Sequence, residues 1–203
     1  MTWCVITSPD FFCGEAGFIS RLLAHGVDVV HLRKPGASET ECRRLLDALP
    51  AEDRKHIMIH DFFELAAPYG LRGIHLNSRR SETPSGYTGH VSRSCHSIDE
   101  VVRYKAQCDY VFLSPIFDSI SKQGYSAAFS CSDLLEWSSA GIIDSKVFAL
   151  GGVTPDRIGR LRALGFGGAA MLGSISRLPS LPEPEQIKTL DGIRRTFHPD
   201  AFL

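Results

Sequence analysis

The chain has 203 residues, with 22 Lys and Arg against 23 Asp and Glu, for a formal net charge of −1. That balance gives no basic footprint for nucleic acid, and no apolar run approaches the roughly 18 residues that suggest a membrane span. The length fits one domain with a substantial buried core.

The opening stretch Trp3-Cys4-Val5-Ile6-Thr7 has neither the basic nor the long apolar region of a signal peptide and reads as a first strand. From there, short β-rich runs alternate with amphipathic ones to the end of the chain. The spacing predicts strands at 3–7, 28–33, 56–61, 73–77, 91–95, 110–114, 146–150 and 169–172. Helices are predicted at 15–25, 39–49, 97–107, 132–139 and 155–164, with a last one at about 183–196 packed on the outside. Ser38 with Glu41 and Ser97 with Glu100 have capping-box spacing. Thr154-Pro155 is a helix start, with Thr as N-cap and Pro at the first helical position. Strands alternating with helices pair in parallel through right-handed crossovers. Eight such units predict a single α/β domain over residues 1–203, a (β/α)8 TIM barrel, rather than an open sheet. Loops at 78–90 and 115–128 would crown the C-terminal face, where barrel chemistry is done.

Cys4, Cys13, Cys42, Cys95, Cys108 and Cys131 contain no Cys-x-x-Cys pair and are expected to be reduced thiols of a cytoplasmic protein. Cys95 stands out because it precedes a candidate catalytic histidine, His96.

Two late strands end in glycine turns, Gly151-Gly152 and Gly173-Ser174. Turns of this kind at the last two strands of a barrel bring backbone N–H groups close to a phosphate. Ser119, Ser121 and Lys122 put two hydroxyls and an ammonium within four residues of one loop, able to converge on an oxyanion. His31 and Arg33 share a strand face, so both look into the barrel mouth, and with Lys34 one place on they are expected to bind the phosphate or substrate, as are Asp61, His75 and Ser94 at the neighbouring strand ends. A desolvated arginine needs an anion, which either Asp61 or a ligand phosphate would supply. His60, His75 and His96 fall near three successive strand ends. Without a His-x-His pair they are a weak signal for a metal. His96, at a strand end after Ser94-Cys95, is placed for general acid–base work, histidine being the side chain that ordinarily titrates nearest neutrality.

The motifs His31-Leu32-Arg33-Lys34, Gly73-Ile74-His75-Leu76, Ser94-Cys95-His96-Ser97, Ser119-Ile120-Ser121-Lys122 and Ala149-Leu150-Gly151-Gly152-Val153, in this order, resemble those of the thiamine phosphate synthase/TenI superfamily. The resemblance implies a thiamine-biosynthesis enzyme acting on a phosphorylated thiazole, with no nucleic-acid or membrane partner. It leaves a homodimer open. Two activities occur in the superfamily. Synthases join a pyrimidine pyrophosphate to thiazole phosphate with Mg2+ held by two aspartates. TenI-type tautomerases move a proton without metal, using a histidine that His96 matches. Here Asp61 keeps one metal aspartate, while Asn77-Ser78-Arg79-Arg80 puts Arg80 at the place of the second, and Pro35 takes the place of a pyrophosphate lysine. The phosphate side, with Ser119, Ser121, Lys122 and the glycine turns, is the better preserved. The resemblance therefore implies a tautomerase needing no cofactor first. A Mg2+-dependent synthase using Asp61, or a non-catalytic thiamine-phosphate binder, stands as the alternative.

Overall fold

In the computed structural model, which describes residues 1–118 and 128–199, all eight expected strands form. They are β1 (Thr2–Ile6), β2 (Val29–Leu32), β3 (Ile57–Ile59), β4 (Gly73–Leu76), β5 (His90–Cys95), β6 (Tyr110–Leu113), β7 (Val147–Leu150) and β8 (Gly168–Met171). Each pairs in parallel with the next, and β1 pairs with β8, so the sheet closes into a barrel. Closure leaves no unpaired edge, and the connecting segments run over the outside.

The helices are α1 (Glu15–Ala24), α2 (Glu39–Ala48), the one-turn α3 (Ala51–Arg54), α4 (Ile98–Tyr104), α5 (Cys131–Ser139), α6 (Ile158–Ala163) and α7 (Glu183–Phe197). No sequence signal marked α3. The β3–β4 crossing has only a 3-10 turn, Phe63–Leu65, and the β4–β5 crossing has no helix, so the fold departs from the regular eightfold pattern on that side. Ser38 and Glu41 make the expected capping box. Thr154 does not cap with its side chain, and the helix expected at 155–164 begins as a 3-10 turn, Pro155–Arg157. Among the described residues no helix is long and apolar enough to cross a membrane.

Alternation along each strand sorts the buried residues into two layers. Cys4, Ile6, Val29, Met58, Tyr110, Phe112, Phe148 and Ala170 form a cluster enclosed by the strands. Their neighbours, such as Trp3, Val30, Ile57 and Val111, join the larger core beneath the helices. Helix α7 closes over the outside of β1, where the Phe197 ring stacks on Trp3 with centroids 5.3 Å apart. The inward face of β2 and β4 carries fully buried histidines in place of aliphatic residues. A barrel can afford that only where their ring nitrogens find partners.

Candidate active site at the barrel mouth

A cavity of about 380 Å3 opens where the strands end. Arg33, His60, His75, Ser94, His96 and Gly151 line it, residues brought from five different strand ends. Asn77, Arg79 and Ser114 join them, although none had a distinguishing sequence pattern as a site residue. Ser119, Ser121 and Lys122 lie outside the described residues.

Three histidines form the floor. His31 Nδ1 lies 3.0 Å from His60 Nε2, and His31 Nε2 lies 2.7 Å from the Tyr110 hydroxyl. His75 is held on both sides, Nδ1 2.8 Å from Ser92 Oγ and Nε2 2.8 Å from Ser94 Oγ. The His60 and His75 rings stack, with centroids 4.1 Å apart. Burial holds all three imidazoles neutral. It pushes His31 and His60 well below the ordinary value, and with the charges of Arg33 and Arg93 it brings His75 down to about 3.

The charged residues are arranged differently from the sequence expectation. Asp61 does not pair with Arg33. Both its carboxylate oxygens accept from Arg79 Nη2, at 3.0 and 3.3 Å. Among the described residues the Arg33 guanidinium has no acidic partner, so the cavity presents a half-buried cation. Lys34 is corrected most plainly. It follows Arg33 by one residue, so its side chain leaves the opposite face of the strand. There Nζ meets Glu15 Oε1 at 2.6 Å and donates to the carbonyls of Ser8 and Asp10. It is a buried structural cation, not a substrate ligand. The described ends of β3 and β4 offer Mg2+ the Asp61 carboxylate alone. That ion favours one or two free carboxylates, and the single one here is already neutralised by a guanidinium.

His96 sits at the end of β5, exposed toward the mouth. Its Nδ1 lies 3.3 Å from the Ser114 carbonyl oxygen, a group that only accepts. The Ser114 hydroxyl lies at the same 3.3 Å from Nδ1; with Nδ1 donating to the carbonyl, Nε2 keeps its lone pair for an incoming proton. The backbone is pinned too. The Glu100 carboxylate accepts from the His96 N–H at 2.5 Å, instead of closing the expected capping box on Ser97. Ser97 still caps α4 by accepting from Glu100 N. Ser97→Ala should therefore cost about 1 kcal/mol, seen as a lower urea midpoint with unchanged slope. Cys95 points the other way, into the outer core, where burial pushes its thiol up to about 12. It is inert packing. All six cysteines are free thiols.

The glycine turns adjoin this mouth. Gly151 and Gly152 have φ of 94° and 62°, the left-handed region that favours glycine. A Cβ on Gly151 would stand 2.7 Å from Pro115 Cβ, so the turn and the segment after β6 are packed together. The amides of Gly152, Gly173 and Ser174 meet no acceptor among the described residues. Ser174 Oγ donates to the Val153 carbonyl at 3.2 Å, tying the two turns to each other. Gly152, Gly173 and Ser174 do not line the cavity described above.

A family model described as TMP-TENI, thiamine monophosphate synthase, matches residues 4–175. The chain is 29% identical over 184 residues to a thiamine-phosphate synthase of Parasynechococcus marenigrum, covering 85% of this chain and 50% of that one. It thus spans about half the length of that relative. It is 27% identical over 171 residues to a thiamine-phosphate synthase of Serratia proteamaculans, covering 80% of each. A solved structure described as thiamine phosphate pyrophosphorylase from Bacteroides thetaiotaomicron superposes with a TM-score of 0.85 at 36% identity, covering 97% of this chain and 98% of that one. One from Pyrococcus furiosus, with a TM-score of 0.75 and 16% identity over 96% and 94% of the two chains, shares the fold.

Proposed function

This chain belongs to the thiamine monophosphate synthase family, and from that premise we propose that it acts on a thiazole phosphate as a proton-transfer enzyme, a tautomerase of the TenI type. The observation that carries this reading is the Asp61–Arg79 ion pair, which leaves the pyrophosphate–metal half of a synthase without a free carboxylate. The phosphate would sit on the amides of Gly152, Gly173 and Ser174. Arg33 would face the substrate's carboxylate. His96 would take the proton through Nε2, held in register by the Ser114 carbonyl and by Glu100. Six unpaired thiols support a cytoplasmic setting.

A second reading is the synthase reaction. The names of the relatives favour it over tautomerisation, since those compared are called thiamine-phosphate synthases or a pyrophosphorylase. Two assays on purified protein separate the readings. The expected result is turnover of the unaromatised thiazole phosphate without added metal, unaffected by Asp61→Asn. Product formed from pyrimidine pyrophosphate and thiazole phosphate only with Mg2+, and lost in Asp61→Ala, would establish the synthase instead.

A further inference from the structure

We propose that His31, His60 and His75 form a binding site for a borderline divalent cation of the zinc type at the floor of the cavity. One ring nitrogen from each histidine lies within 4.8 Å of the others, and all three residues are buried. This goes beyond the proton-transfer reading and does not depend on it.

The surroundings of two of the three rings, His31 and His75, match what a metal ligand requires. A ligating imidazole needs its second nitrogen held by an outer partner that fixes the tautomer. For His31 that partner is the Tyr110 hydroxyl on Nε2, leaving Nδ1 as donor. For His75 it is Ser92 on Nδ1, leaving Nε2, with the Ser94 hydroxyl beside it on the cavity side. His60 Nε2 already faces His31 Nδ1 at 3.0 Å. Zinc–nitrogen bonds of about 2.0–2.1 Å place tetrahedral donors about 3.3 Å apart, so the His31–His60 pair already has nearly that spacing, and the widest separation in the trio, within 4.8 Å, has to close by at most about 1.5 Å. His60 and His75 line the cavity, which leaves the fourth position open toward it, as in catalytic three-histidine zinc sites. Three neutral ligands leave the ion with its full charge. The fourth ligand should then be hydroxide or an anionic group of whatever the cavity holds.

The test is a titration of the metal-free, full-length protein with zinc chloride, followed by calorimetry and thermal melting. One ion per chain is expected, with a melting midpoint that rises with free zinc. Cobalt in its place should develop the visible bands of a tetrahedral site. His60→Ala should weaken binding at least about tenfold, whereas Asp61→Asn should leave it unchanged. Because His60→Ala removes a buried ring and could unfold the chain, X-ray absorption of the unaltered zinc-loaded protein gives an independent reading. Nitrogen neighbours at about 2.0–2.1 Å with the scattering pattern of three imidazoles support the site. Absence of binding, binding that survives in folded His60→Ala, or sulfur neighbours at about 2.3 Å from the exposed Cys13 or Cys131 would overturn it.

Discussion

Replacing His96 by alanine is expected to lower turnover of the unaromatised thiazole phosphate by about 10²–10⁴-fold, the usual contribution of a positioned general base. KM should change little, because Arg33 and the glycine-turn amides, not His96, carry the anionic groups of the substrate in this scheme. The melting temperature should also hold. His96 is exposed, and among the described residues its side chain's hydrogen bonds are two of 3.3 Å, to the carbonyl and the hydroxyl of Ser114. The fall in turnover therefore cannot be mistaken for unfolding. Turnover equal to that of the unaltered protein would remove His96 from the chemistry.

Lys34→Met is expected to destabilise the fold by about 3–5 kcal/mol, the range for breaking a buried ion pair from one side. The side chains of Lys34 and Glu15 are 1% and 3% exposed. Loss of the ammonium strands the Glu15 carboxylate and frees the carbonyls of Ser8 and Asp10 that it ties down. Urea denaturation measures the loss, and the double variant with Glu15→Gln should recover part of it. The pH dependence has a definite sign. Burial holds the Glu15 carboxyl above its ordinary value, with Lys34 pulling it back, so removing Lys34 raises it further. A carboxyl raised in the folded state contributes stability that is present below its unfolded pKa and lost as pH rises through the folded one. The deficit of Lys34→Met should therefore be smallest in acid and grow toward neutral pH. An unchanged KM in the folded fraction is expected. A raised KM with unchanged stability would return Lys34 to the substrate.

The Lys34 result shows how a single residue step decides a role. Alternation already put His31 and Arg33 on one face and Lys34 on the other. The strand end was short enough that no loop absorbed the reversal, so the family's lysine position is not refilled by Lys34. The same local rule found every strand, because the apolar period and the flanking glycines and caps are written into a few consecutive residues. It also found the left-handed glycine turn at 151–152 and the capping box at Ser38. The cap expected at Thr154 did not form, its buried hydroxyl having no hydrogen-bond partner among the described residues, and the box at Ser97 formed only in part. The Glu100 carboxylate bonds the His96 amide instead.

By itself, then, the sequence determined the parallel β/α alternation, the count of eight strands, the shared facing of His31 and Arg33, and the presence of histidines, Arg33 and glycine turns at strand ends. Only the tertiary structure decided which of these meet: Asp61 with Arg79 rather than Arg33, Lys34 with Glu15, and three histidines from separate segments on one floor. Facing is set by backbone geometry over two residues. Meeting depends on barrel closure and on the register of strands that lie tens of residues apart in the chain, and no local pattern encodes that.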